Sequence, residues 1–250
     1  MKMLQTYVEI VGLPGSGKST VIAHIEKHQM IETSSQWLSK VAKEELASNL
    51  FGIRHMAGFL PNHLGKIYLN VKKLNYFRIY CSHSGGIVDG IAKTISAQVQ
   101  SGRMLVERAN RLLELAAEQY LIEKYVANFV ISDERWVQFI GFYLQALTGD
   151  WIAEVERHLP LLPLPARVVW FDHGAEVCAS RQRQRGKRAG LFEGSRDDGE
   201  LAAMYERQFS RLVPFLTERG VEVFKIDSRL SVEKKVSLLE PLWKKPLNGK

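Results

Sequence analysis

The chain has 250 residues, 46% of them hydrophobic and 24% charged, and a formal net charge of +7. That composition builds a sizeable core. It holds no run near the roughly 18 apolar residues that span a bilayer. Its two cysteines, Cys81 and Cys178, lie far apart and in no metal-ligand spacing, which excludes a disulfide framework and fits a reducing, cytoplasmic setting. The segment before the first glycine lacks a small-residue cleavage site and is not expected to be a signal peptide. The positive balance favours anionic partners such as nucleotides, phosphorylated metabolites or nucleic acid.

Tyr7 to Val11 is a short β-branched run that stops at Gly12 and reads as a strand. A helix is expected from Lys18 to about Lys27. Ser34 and Ser35 are expected to cap a second helix through Trp37, Leu38, Val41 and Leu46. Residues 49–90 have scattered glycines, Pro61, several histidines and Tyr68, Tyr76, Phe77 and Tyr80; helices and loops are expected there. Leu105, Ala109, Leu112, Leu113, Ala116, Ala117 and Tyr120 recur at helical spacing.

Asn128 to Ser132 reads as a buried strand that runs into Asp133, and Trp136 to Leu147 as a buried helix. Pro160, Pro163 and Pro165 mark a loop before a strand from Val168 to Phe171, which ends at Asp172. Helices are expected from Glu176 to Arg185 and from Leu201 to Leu216. A last strand, Val221 to Ile226, ends at Asp227, and Ser231 caps a final helix through Leu239. Apolar strands alternating with helices indicate a three-layer α/β sandwich, a parallel sheet flanked by helices. Neither a repeat nor a linker interrupts it, so one domain over residues 1–250 is expected.

Gly12-Leu13-Pro14-Gly15-Ser16-Gly17-Lys18-Ser19 matches G-x-x-x-x-G-K-[ST] without a mismatch, and Thr20 follows it. Glycines let successive N–H groups turn inward toward phosphate oxygens. The helix that starts near Lys18 adds its positive end. Lys18 is expected to reach the β- and γ-phosphates of ATP, and the Ser19 hydroxyl to coordinate Mg²⁺. Neither N-K-x-D nor D-x-x-G occurs, which argues against a guanine-nucleotide switch, and the length excludes a helicase with two motor cores.

Asp133, Glu134 and Arg135 follow a strand whose carboxyl end should face the ligand crevice. Asp133 or Glu134 could hold Mg²⁺ through water or take the acceptor's proton, and Arg135 could bind an acceptor phosphate. The alternative is an N-cap Asp beside a surface Glu–Arg pair. Asp172 is a weaker candidate, and Asp227 reads as a cap or turn residue. Arg181 to Arg188 reads RQRQRGKR, with five basic residues in eight, followed by Gly190, Gly194 and Gly199. It is either a solvated helix face or, over 181–200, a mobile lid whose arginines stabilise the transferring phosphoryl group.

The order strand, GLPGSGKST, helices, strand-DER, strand VVWFD, R-x-x-x-R and a last strand ending Ile-Asp resembles the nucleoside-monophosphate kinase group of P-loop proteins, thymidylate kinases in particular. The resemblance runs from Tyr7 to Leu239. Those kinases end a strand in Asp-Arg, where Asp133 and Arg135 stand with Glu134 between them; deoxynucleoside kinases use Glu-Arg, which Glu134-Arg135 matches. Arg181 and Arg185 resemble the family's lid arginines. Where thymidylate kinases carry a Glu just before the first glycine, this chain has Val11, with Glu9 two residues earlier. The resemblance implies an ATP- and Mg²⁺-dependent kinase with a small-molecule or nucleotide acceptor. The family's acceptor-binding region has no counterpart here; residues 49–102 are expected to hold the acceptor because the stretch is long, irregular and rich in His, Tyr and Asn. No membrane partner is expected, and there is room for a homodimer. The competing expectation is a nucleic-acid-directed kinase, for which Lys72-Lys73-Leu74-Asn75-Tyr76-Phe77-Arg78 would stack on bases.

Overall fold

The computed structural model describes residues 4–28, 30–51, 54–84, 86–98, 102–125, 130–144, 153, 157–158, 161–184, 198–227 and 229–244. The chain divides into two compact units, Met1–Ile31 with Ile131–Lys250, and Glu32–Val130.

The first unit is built on a four-stranded sheet of order β2-β1-β3-β4. The strands are β1 (Leu4–Gly12), β2 (Val130–Asp133), β3 (Pro165–Asp172) and β4 (Glu222–Asp227). β3 pairs in parallel with both β1 and β4, and Gly12 lies opposite Phe171. Every residue from Tyr7 to Val11 and from Pro165 to Phe171 is buried. Strand side chains alternate between faces, so unbroken burial requires cover on both sides.

The cover is visible at two successive residues of β3. Trp170 meets Phe209 of α8 (Asp198–Glu218), with ring centroids 5.0 Å apart. Phe171 points the other way and lies under the Lys235 ammonium of α9 (Val232–Lys244), 5.8 Å from its ring centroid. α9 in turn packs on α1 (Lys18–Lys27), which buries Val21 and Ile25. The sheet with helices on both faces is the architecture expected from the sequence. α7 (Ala175–Gln184) joins α8 on its side.

Three local expectations are revised. β3 starts at Pro165, not Val168, because a proline is tolerated at the first residue of a strand. The helix expected from Trp136 to Leu147 is a short α-turn, α6 (Trp136–Gln138), that widens into a π-helix over Phe139–Leu144. Residues 145–147 lie outside the described residues. Gly141 within that π-turn lets α8 approach closely: a Cβ there would stand 3.2 Å from Phe209 and 3.3 Å from Leu212. The third revision lies in the second unit.

That unit is helical: α2 (Ser34–Phe51), a 3-10 turn (Arg54–Phe59), α3 (Asn62–His83), α4 (Ile87–Gln98) and α5 (Gly102–Tyr125). Thr33, rather than Ser34 or Ser35, caps α2. Its hydroxyl accepts from the Gln36 amide at 3.4 Å, and Gln36 Oε1 accepts from the Thr33 amide at 3.2 Å. This is a reciprocal capping box. Gly65 of α3 sits directly against the α2 backbone at Ser39. None of the described helices is long and apolar enough to cross a membrane.

Ile10 is fully buried at the centre of β1. Ile10→Ala removes three carbons from this covered strand and is expected to cost about 2–5 kcal/mol. Urea unfolding checks this; a loss below about 1 kcal/mol would contradict the tight double-sided packing.

Candidate phosphate-binding site

The Gly12–Ser19 loop follows the carboxyl end of β1. Gly15 and Gly17 have φ of 91°, a conformation that L side chains rarely adopt. At Gly15 the constraint is also spatial, since a Cβ would stand 2.7 Å from the Cys178 carbonyl of α7. The Ser16 amide donates to the Leu13 carbonyl at 3.0 Å, which closes the turn. The Ser16 hydroxyl is buried and has no hydrogen-bond partner among the described residues. An N-terminal turn leaves its first amides without intrahelical partners, and α1 begins at Lys18. An orphan hydroxyl and a helix N-terminus with uncapped first-turn amides together fit a phosphate group. Ser19 and Thr20 are exposed on the first turn of α1.

Lys18 is buried at the base of this loop. Its Nζ donates to the carbonyls of Gly12 at 2.8 Å and Leu13 at 3.4 Å, and lies 3.5 Å from Glu134 Oε1. Glu134 has φ 55°, a strained value for a non-glycine residue. Its amide donates to the Ile10 carbonyl at 3.5 Å. Strain held at a strand end fixes the direction of the side chain, and here it brings a carboxylate to the loop lysine. Asp133 ends β2 and is half-buried. Arg135 is fully buried, with its guanidinium carbon 5.1 Å from the Tyr7 ring centroid.

Glu9 organises this corner. Its carboxylate accepts from the amides of Val137 at 3.1 Å and Gln138 at 2.7 Å. Gln138, held in this way, grips both polar groups of Gly12. Its Oε1 accepts from the Gly12 amide at 3.0 Å, and its Nε2 donates to the Gly12 carbonyl at 3.2 Å.

A basic collar rims the loop. Arg181 Nη1 of α7 donates to the Gly15 carbonyl at 3.3 Å. Lys235 of α9 is buried, and its Nζ would lie 3.7 Å from a Cβ at Gly17. Burial and then the Arg181 charge lower the Lys235 pKa, while Asp227 opposes them. His173 follows β3 and is buried, and among the described residues neither ring nitrogen has a hydrogen-bond partner. Burial, then the charges of Arg181 and Lys235, hold its pKa below the usual histidine value and favour the neutral ring. Cations gathered in this way draw an anion to the loop.

Thus the structure gathers Gly12, Pro14, Gly15, Ser16, Gly17, Lys18, Glu134 and Arg181 of the expected set. Arg185 and most of the expected lid lie outside the described residues. Asp172 is instead paired with Lys225 at 2.6 Å across neighbouring strands. Asp227 is a turn residue, accepting from the Arg229 amide at 2.9 Å and gripping its guanidinium at 2.7 Å. Sequence reading missed Gln138, His173 and Lys235 and did not place Glu9. Glu9 had a signal, a lone carboxylate inside an apolar strand. His173 had one too, directly after a strand's carboxyl end. Among the described residues no group of three or more His, Cys, Asp or Glu side chains could hold a metal ion.

No family model and no curated protein matches the chain. It is similar to three solved structures of deoxyadenosine kinase from M. mycoides. The structure with bound dATP has 14% identity and a TM-score of 0.48, covering 96% of this chain and 100% of that one. The structure with dCTP has 15% identity and a TM-score of 0.47, covering 96% and 99%. The third, with the products dCMP and a flexible dCDP, has 14% identity and a TM-score of 0.46, covering 96% and 98%. A likeness at these levels carries no functional conclusion.

Burial pushes the Glu9 carboxyl up to about 7, against the amides of Gln138 and Val137 and the Arg135 charge, which pull it down. A native pKa above the ordinary value means the native state favours the neutral acid. The resulting stabilisation is full below about pH 4.5 and is lost as pH rises through about 7. Thermal melting of wild type and Glu9→Gln is therefore expected to diverge between pH 5 and 8. Wild type loses ground to the variant by up to about 1.4 kcal/mol per pH unit. A difference independent of pH would show that Glu9 stays ionised throughout.

Proposed function

We propose that the chain is an ATP- and Mg²⁺-dependent phosphotransferase that moves the γ-phosphoryl group to a small-molecule acceptor, of the nucleoside or nucleotide kind its sequence resembles. The observation that carries this reading is the loop itself: an orphan Ser16 hydroxyl and the α1 amides stand beside Lys18, with cations supplied from two further helices. Such a set binds a polyphosphate rather than a single neutral ligand.

Each residue then has a physical role. Lys18 now shares its protons with two loop carbonyls and leans toward Glu134; a γ-phosphate competes for the same ammonium and is the stronger acceptor. Arg181 anchors on the loop at Gly15, where its charge offsets the negative charge that spreads over the transferring oxygens. Arg185, four residues on, supplies a second such charge. Arg135, buried and fixed against Tyr7, holds a positive charge at the acceptor end. Asp133 or Glu134 takes the acceptor's proton. Ser19 and Asp133 would hold Mg²⁺, directly and through water, which neutralises the β- and γ-oxygens when bound. Residues 49–102 supply acceptor contacts, and 181–200 close over the donor.

Lys18→Ala is expected to reduce ATP turnover on the order of 10²-fold or more while the protein stays folded. Arg181→Ala should lower the rate at saturating ATP more than it weakens nucleotide binding, because its contact with the migrating charge strengthens in the transition state. Wild-type turnover by purified Lys18→Ala protein would remove the phosphate loop from the chemistry.

A further inference from the structure

His173 is a buried titratable group to which the chemistry described so far gives no task. Its side chain is only 6% exposed, and among the described residues neither ring nitrogen has a hydrogen-bond partner. Each buried polar atom left unpaired costs stability, and an imidazole carries two. An apolar side chain would fill the same space without that cost. The ring therefore calls for a partner from outside the chain.

The strand before it decides where it stands. Side chains alternate along β3. Trp170 and Asp172 share one face and both meet Lys225, whose ammonium lies 4.6 Å from the Trp170 ring centroid and 2.6 Å from the Asp172 carboxylate. Phe171 faces the other way, under Lys235 of α9, and its carbonyl would stand 2.8 Å from a Cβ at Gly12 of the loop. His173 follows two residues later, on the side of Phe171. The charges that act on its ring come from three elements: Arg181 of α7, Lys235 of α9, and Asp227 and Arg229 of the turn between β4 and α9. Asp227 and Arg229 largely cancel, because they grip each other at 2.9 and 2.7 Å. Arg181 and Lys235 remain, and both rim the phosphate loop. Arg181 donates to the Gly15 carbonyl at 3.3 Å, and the Lys235 ammonium would lie 3.7 Å from a Cβ at Gly17.

Positive charge thus surrounds a ring that can itself become positive. In the free protein burial, then Arg181 and Lys235, keep the ring neutral. A polyphosphate on the loop reverses that balance. It neutralises the two cations, and its ionised oxygens accept hydrogen bonds without donating any. An imidazolium is then the better partner, since a charge-assisted hydrogen bond is roughly twice as strong as a neutral one.

We propose that His173 is a further phosphate-binding residue of this site, which takes up one proton from solvent when the donor polyphosphate binds and then donates a hydrogen bond to it. The proton joins the ring nitrogen that lacks one. The proposal rests on the reading of the Gly12–Ser19 loop as a donor site. Its consequence is an affinity that rises as pH falls, by up to about tenfold per pH unit between the ring's pKa with nucleotide and its lower pKa without.

The test is calorimetric titration of the full chain with ATP and Mg²⁺, without acceptor, in two buffers of different ionisation enthalpy, which counts protons. Wild type is expected to take up more protons than His173→Gln; protons exchanged by the nucleotide itself are common to both and cancel. His173→Gln should bind ATP about tenfold more weakly near pH 6, and the gap should close as pH rises. Imidazole nitrogen spectra of wild type read the same event without a variant. One of the seven histidines is expected to be neutral in the free protein near neutral pH and protonated in the ATP-saturated protein. The proposal is overturned if no ring gains a proton on ATP binding, or if wild type and His173→Gln take up the same number. ATP binding without that difference sinks this proposal alone; no ATP binding at all sinks the loop reading with it.

Discussion

Gly12 has its amide and its carbonyl held by one side chain, Gln138, and its carbonyl is shared with Lys18. The phosphate loop leaves the sheet at this residue, and its direction is set here. Gln138 can grip Gly12 only because Glu9, inside β1, accepts from the Val137 and Gln138 amides and pins the start of that turn. One buried carboxylate thus ties the first strand, the turn after Asp133-Glu134-Arg135 and the loop into a single rigid corner. Burying it is costly, as its raised pKa records. Backbone donors and the Arg135 charge offset that cost, and the corner gains a fixed geometry.

The corner explains why the parts meet. The loop needs glycines with positive φ at Gly15 and Gly17 to pass beneath α7 and α9. In return those helices deliver Arg181 and Lys235 to its rim. The strained Glu134 backbone directs a carboxylate to Lys18. A lysine drawn between loop carbonyls and an acid is poised rather than locked, since each of its contacts is weaker than a contact to phosphate.

Much of this was legible in the sequence, for identifiable reasons. The loop has fixed spacing, and β1, β3 and β4 are short strand-like runs with hard stops, so the parallel sheet followed; the lateral order β2-β1-β3-β4 did not. Elements decided by tertiary contacts were not legible. The π-turn after Gln138 accompanies the close approach of Gly141 to Phe209 and Leu212, which no local pattern encodes. Lys235 reads as solvated in a helix rich in lysine, yet the fold buries it beside Phe171. Pro165 looked like loop because its missing amide matters only inside a strand, not at its first residue. In the helical unit, Glu45 joins Tyr76 and Tyr125 from helices far apart in the chain, and spacing alone cannot reveal such a cluster.

The proposed activity is phosphate transfer at this loop, beyond nucleotide binding alone. The direct measurement of that claim follows radiolabel from γ-labelled ATP, with Mg²⁺, into a mixture of nucleosides, nucleoside monophosphates, sugars and oligonucleotides. Label is expected to leave ATP and appear on one class of small molecule. Label retained on ATP under conditions of saturated binding, or transferred to oligonucleotides alone, would contradict it.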